Sequence, residues 1–333
     1  MWDFSVRRAL GLMGQTLPFI VFRIVVYFGI AVAFVLVTGV GAGIGWGIGA
    51  FGDVDFRAAA TTWGGLAGFG ITAGAIFLAR EYILYLVKAG HIAVMIELMD
   101  GRGVPQGRSQ ISYATEIVRE RFVETSVLFG VDQLVKGVLG AILGLIQGLA
   151  SLMPIPGVQN IVGIVRAFLR VAIGLTDEVI LGYLMRTRTV NPWEGAQTAL
   201  ILYAQNYKVM LKNAAWLTVV TYVLALVVFL VMLAPAAALV WFIPNAWGAG
   251  GVVFALIFAW AVKAALIEPF AIAAMMDVYF RVIEGQSPDP EWQQRLAQVS
   301  RKFRDLGEKA VNWVAPQKPS APSEFTAPGG PVA

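Results

Sequence analysis

The stretch IVVYFGIAVAFVLVTGVGAGIGWGIGA, Ile24–Ala50, runs 27 residues without one Asp, Glu, Lys, Arg or His. About 20 apolar residues suffice for a helix to cross the ~30 Å hydrocarbon core of a bilayer. This segment can therefore span with tilt to spare. Five further apolar segments follow it: Thr62–Val87, Val127–Met153, Val158–Met185, Ala214–Phe242 and Gly250–Met276. Of the 333 residues, 58% are hydrophobic and 14% charged, where soluble domains run roughly 45–50% and about 25%. The sequence predicts an all-α polytopic membrane protein with about six transmembrane helices in three hairpins.

Charge placement orients the hairpins. The turns inside them carry Asp53, Asp55 and Arg57 or nothing, whereas the connecting segments hold Arg7, Arg8, Arg102, Arg108, Arg119, Arg121, Arg186, Arg188, Lys208 and Lys212. The positive-inside rule then puts both termini on the cytoplasmic side of a bacterial inner membrane. The net charge of +4 reports topology, and no basic, aromatic-bearing sheet suggests nucleic acid. Residues 1–16 read as a retained interfacial helix, since Trp2, Phe4, Val6, Leu10, Leu12 and Met13 accompany Arg7 and Arg8 and no small-residue cleavage site follows.

The rest divides into three units. Hairpin one and an amphipathic helix occupy residues 17–126; hairpin two and another occupy 127–213; hairpin three and a basic amphipathic helix occupy 214–313. Residues 314–333, rich in proline, are expected to be disordered. Hairpin two is the ambiguous unit. Charged residues enter both of its helices and Pro154 and Pro156 lie in its middle, so it either crosses twice or re-enters; both return the chain to the same side.

Aligning Pro192 with Pro288 sets Ala196, Leu200, Tyr203, Tyr207 and Met210 against Trp292, Leu296, Val299, Phe303 and Leu306. Both series step 4, 3, 4, 3, which is one apolar seam on a helix. A looser copy runs through Ile111, Thr115, Val118, Phe122 and Thr125, so the units look like tandem repeats. The last helix, Glu291–Trp313, carries Arg295, Arg301, Lys302, Arg304 and Lys309 on its other faces. Such a helix suits anionic lipids at the cytoplasmic surface; its spacing also suits a coiled-coil seam in a homo-oligomer or with a membrane-complex partner.

Glycines alternate from Gly39 to Gly49 and form two rows, Gly39/Gly43/Gly47 and Gly41/Gly45/Gly49, expected to admit neighbours on two sides. Gly64/Gly68 and Gly70/Gly74 offer further grooves.

Zero Cys and one His remove thiolate chemistry, disulfides and Cys/His metal sites. No nucleophile elbow, HExxH or phosphate loop appears, and no catalytic residue, metal or cofactor is assigned. Chemistry is left to ionised side chains within the apolar segments: Asp132, Lys136, Arg166, Arg170, Asp177, Glu178, Lys263 and Glu268. An unpaired charge at midplane costs about 2.5–3.5 kcal/mol even on a lenient insertion scale, so these groups should face one another or water. Asp132 and Lys136 share a face at i,i+4. Pro269 should free the carbonyl of residue 265 beside Lys263 and Glu268. Lys88 and His91 read as boundary residues. Asp132, Lys136, Arg166, Arg170, Lys263 and Glu268 are the candidate solute or ion pathway.

The runs GAQTALILYAQNYKVMLKN (Gly195–Asn213) and AMMDVYFRVIE (Ala274–Glu284) resemble the C-terminal part of choline-transporter-like membrane proteins. There, a small-residue helix ends in Lys-Asn or Arg-Asn before a span, and the last span closes on an acidic turn. Lys212, Asn213 and Asp277 match by position. The resemblance implies transport of choline or a related amine. From the residues alone, a permease or channel for a small charged or zwitterionic solute stands beside a non-transporting scaffold or accessory subunit of a larger membrane complex.

Overall fold

The computed structural model describes residues 1–79, 84–121, 130–140, 174–241 and 248–314. Among them all regular structure is helical: α1 (Val6–Gln15), α2 (Leu17–Gly49), α3 (Val54–Ala79), α4 (Tyr85–Met99), α5 (Gln110–Arg121), α6 (130–140), α7 (174–187), α8 (Pro192–Gln205), α9 (Tyr207–Trp241), α10 (Gly248–Val262), α11 (Glu268–Val282), α12 (Pro290–Val299) and α13 (Arg301–Val311). A π-helical turn, Lys263–Ile267, joins α10 to α11. Three stretches among the described residues are long and apolar enough to cross a membrane: Leu17–Gly49, Tyr207–Ala238 and Gly251–Val282. The expected span Thr62–Val87 is divided between α3 and α4. Most of the expected second hairpin, including Arg166 and Arg170, lies outside the described residues, as does the chain beyond Val314.

α2 begins at Leu17, a full turn and more before Ile24, because Pro18 sits in its first turn, where a missing N–H costs nothing. Arg23 is therefore inside the long helix. The hairpin of α2 and α3 closes through one glycine row. A Cβ on Gly41 would lie 2.2 Å from the Gly64 carbonyl oxygen, and one on Gly45 would lie 2.0 Å from that of Ala60. On the other side, Gly64 and Gly68 would each meet a backbone oxygen of α2 at 2.2 Å. Among the described residues, nothing lies within 4 Å of a Cβ on Gly39, Gly43, Gly47, Gly70 or Gly74. Among the described residues the close neighbour of α2 lies on one row only, where two helices at backbone contact bury a single stripe each.

α4 and α11 form the centre. Ala89–Glu97 and Ala271–Phe280 are buried on every face, the pattern of core helices with no solvent side. The Tyr279 hydroxyl donates to the Ala199 carbonyl at 3.0 Å and ties α11 to α8.

The expected single helix Glu291–Trp313 breaks at Ser300, whose backbone is extended (φ −132°, ψ 113°) and whose Oγ accepts the Phe303 N–H at 3.2 Å. Ser300 ends α12 and caps α13. The turn lets Leu296, Phe303 and Leu306 share one buried cluster with Trp193, Ala196 and Leu200 of α8, while Val299, which an unbroken seam would bury, is 46% exposed. Asn191 fixes the contact: its Oδ1 accepts the N–H groups of Trp193 and Glu194, and its Nδ2 donates to the Ala310 carbonyl at 2.7 Å. The aligned helix after the second unit breaks as well, at Asn206 between α8 and α9, and Tyr207 is left 41% exposed.

Candidate functional site

The site is built around Pro269. In a regular α-helix its missing N–H would leave the carbonyl of Ala265 without a donor. Here the preceding turn is π-helical, with the Glu268 N–H donating to the Lys263 carbonyl five residues back. One position further along, the carbonyl that loses its donor to Pro269 is that of Ala264. The expected free carbonyl at residue 265 is corrected accordingly. Arg23, from α2, supplies the donors that proline cannot: Nε at 3.2 Å and Nη2 at 2.5 Å both reach the Ala264 oxygen. Its guanidinium also lies over the Tyr27 ring, 5.5 Å from the centroid.

From this anchor a chain of ion pairs crosses the helices. Glu268 Oε1 meets Lys263 Nζ at 2.9 Å, and its Oε2 meets both Arg23 Nη2 and Lys88 Nζ at 3.7 Å. Lys88 Nζ donates to Glu178 Oε1 at 2.7 Å. The neighbouring Asp177 lies 3.7 Å from Lys136 Nζ, which pairs with Asp132 at 2.7 Å. α2, α4, α6, α7 and the α10–α11 junction each contribute, so the chain is a tertiary feature that no one helix encodes.

Of the eight charges read from the sequence, Asp132, Lys136, Asp177, Glu178, Lys263 and Glu268 come together. Arg166 and Arg170 lie outside the described residues. Arg23 and Lys88 complete the chain, and neither stands out in the sequence: Arg23 lies one residue before the uncharged run Ile24–Ala50, and Lys88 lies just past the segment Thr62–Val87. The signal for Arg23 was Pro18, which marks the true helix start. The described chain has four cations, Arg23, Lys88, Lys136 and Lys263, and four carboxylates, Asp132, Asp177, Glu178 and Glu268. Two unit charges about 4 Å apart attract by about 4 kcal/mol at an effective dielectric of about 20, which offsets part of the cost of taking both from water. The side chain of Arg23 is 1% exposed, whereas those of Lys88 and Lys263 are 31% and 29% exposed. A cavity of about 10 Å³ lies between Tyr85, Val131, Asp132 and Asp177, about the size of one water molecule.

His91, one turn along α4 from Lys88, stacks on Phe19 at 5.1 Å and lies 3.0 Å from Thr16 Oγ1 through Nε2. The Thr16 hydroxyl also lies 3.0 Å from the Leu12 carbonyl and 3.3 Å from that of Met13, so it can donate to the backbone while accepting from His91 Nε2–H. Burial, and then the charge of Arg23, hold the imidazole well below its ordinary pKa, in the neutral form. At the far end of α4, Glu97 and Asp100 gather Arg102, Arg186 and Arg188 in a second ion cluster.

Lys212, Asn213 and Asp277 hold the N-terminal segment. Asp3 accepts Lys212 at 2.6 Å and Asn213 Nδ2 at 2.7 Å, while its N–H donates to Asn213 Oδ1 at 2.7 Å and its carbonyl accepts Arg281 at 2.7 Å. Hydrogen bonds from Lys212 and Asn213 lower the Asp3 pKa below the usual carboxylate value. Asp277 pairs with Arg8 at 3.3 Å and Arg281 at 2.9 Å. α1 so fixed covers a cleft of about 630 Å³ lined by Arg7, Arg8, Gln15, Met99 and Asp277 among others.

The candidate lipid-facing cations Arg295, Arg301, Lys302, Arg304 and Lys309 all point outward. Arg295 pairs with Glu291 at 2.5 Å, Arg304 donates to the Ala297 carbonyl, and Lys309 sits 4.7 Å from the Trp193 ring centroid.

No protein family model, curated protein or solved structure matches the chain.

Proposed function

We propose that the protein is an integral membrane permease or channel for a small charged or zwitterionic solute, with the Arg23–Asp132 ion chain as its polar pathway. In this reading six spans in three hairpins cross a bacterial inner membrane, both termini are cytoplasmic, and the outward cations of α12 and α13 meet anionic lipids. The observation that carries it is Glu268. This carboxylate is shared by cations from α2, α4 and the π turn, two of them at contacts longer than a hydrogen bond, so partners can be exchanged without any charge being abandoned. Ionisable groups inside a membrane bundle mark substrate and ion routes by default, and π-helical turns cluster at functional sites.

The accessory-subunit reading draws on the glycine grooves, the basic C-terminal helix and the lack of any sharp motif, and the seam of residues 291–313 is one partner surface it offers. With Leu296, Phe303 and Leu306 packed on α8, most of that seam is already covered, and the permease reading leads.

The test is solute uptake into reconstituted vesicles by the wild type and by Glu268→Gln, each checked for a monodisperse, cooperatively melting protein. Uptake by the wild type that changes several-fold in a folded Glu268→Gln variant supports the pathway. Absence of wild-type uptake across amines, amino acids, carboxylates and inorganic ions would sink it.

A further inference from the structure

The pathway's charge arrangement narrows the solute. Arg23 Nη2 and Lys88 Nζ both lie 3.7 Å from the same oxygen of Glu268, and Lys263 Nζ lies 2.9 Å from the other. Hydrogen bonds to carboxylates fall near 2.7–2.9 Å, so two of these three cations attract Glu268 without bonding to it. Around Glu268 and Glu178, the described residues set three cations, Arg23, Lys88 and Lys263, against two carboxylates. The cations also differ in freedom. Arg23 is pinned to the Ala264 carbonyl and shielded, while the ammonium groups of Lys88 and Lys263 ride on flexible four-carbon stems and are about a third exposed.

From this we infer that the transported solute carries a carboxylate or an equivalent anionic group, as an anion or a zwitterion, and that simple amines are refused. The inference rests on the permease reading above. An entering carboxylate takes Lys263 or shares Lys88 with Glu178, Arg23 stays beside Glu268, and every ion keeps a partner throughout. An entering ammonium has no such exchange. It must draw Glu268 or Glu178 away from cations already gathered on them and leave those cations facing one another in a region poor in water. Choline, which the C-terminal resemblance suggests, is on the refused side.

The experiment is uptake into vesicles containing the full chain, comparing choline, ethanolamine and putrescine with glycine betaine, glycine and succinate. Choline and glycine betaine share a trimethylammonium group and differ chiefly by hydroxymethyl against carboxylate, so that pair isolates the inferred requirement. The expected result is uptake of at least one carboxylate at least tenfold faster than any of the three amines. Lys88→Gln should erase that preference by about tenfold, and Lys263→Gln serves if Lys88→Gln does not give a folded protein. Amine uptake equal to or faster than that of the carboxylates overturns the inference and leaves the permease reading standing. A preference unchanged in a folded lysine variant also overturns it. No uptake of any of the six solutes overturns the inference, and the permease reading falls with it when inorganic ions also fail to cross.

Discussion

Arg23 of α2 donates through two nitrogens to the carbonyl oxygen of Ala264, 241 residues away in sequence. The acceptor exists because Pro269 cannot donate to it, and the same guanidinium lies 3.7 Å from Glu268, one turn further on. One arginine thereby bonds a backbone group and attracts a carboxylate at once.

Replacing Arg23 by Met should strand the Ala264 carbonyl and weaken Glu268 together. Breaking a buried ion pair from one side costs about 3–5 kcal/mol, so the melting temperature of the detergent-solubilised protein should fall well below that of the wild type. Arg23→Lys keeps the charge but loses the planar two-nitrogen contact, and should land between the two. A melting point for Arg23→Met equal to that of Arg23→Lys would contradict the role of charge.

Pro269→Ala restores an N–H. That donor can bond Ala264 in the π register or Ala265 in a regular α register, and in either case competes with or displaces Arg23. Amide exchange across residues 263–268 should change, and the variant should lose sensitivity to Arg23→Met. Non-additivity of this pair, measured as a double-mutant cycle in melting free energy, is the decisive reading.

The two glycine rows of α2 should respond in opposite ways. Gly45→Ala forces a Cβ into the Ala60 carbonyl at 2.0 Å, a backbone clash that no rotamer relieves, and should destabilise by about 1–3 kcal/mol. Gly43→Ala meets open space and should be neutral or gain up to about 1 kcal/mol in helix propensity. Thermal melts of the two variants side by side test this.

Acid should release the N-terminal segment. The folded pKa of Asp3 is depressed, so its contribution to docking is present above the unfolded carboxylate value of about 3.9 and is lost as pH falls through the lower folded value. Protease accessibility of residues 1–15 should stay low at neutral pH and rise below about pH 4. Lys212→Met should flatten that rise, since it removes the largest cause of the shift.

The long apolar helices were legible because their signal is local: a run such as Ile24–Ala50 needs no partner to be recognised. Six members of the ion chain were legible for the same reason, as charges standing out from apolar surroundings. Arg23 was not, because it borders the run and only the helix start at Leu17 brings it inside. The free carbonyl was assigned one residue too far along, since sequence alone gives α-helical bookkeeping and the π turn is a tertiary outcome. The break at Ser300 was hidden by a 4, 3, 4, 3 spacing that two short helices satisfy as well as one. Likewise, alternating glycines announce two grooves on α2, and only the packing of α3 decides which is filled.

The clasp on Asp3 imposes an order on biosynthesis. Its partners Asn213 and Arg281 stand 210 and 278 residues downstream, so during synthesis Asp3 waits for more than two hundred further residues before the first of them is made. The segment around Asp3 therefore settles after α9 and α11 have been made, and its docking reports that both are in place.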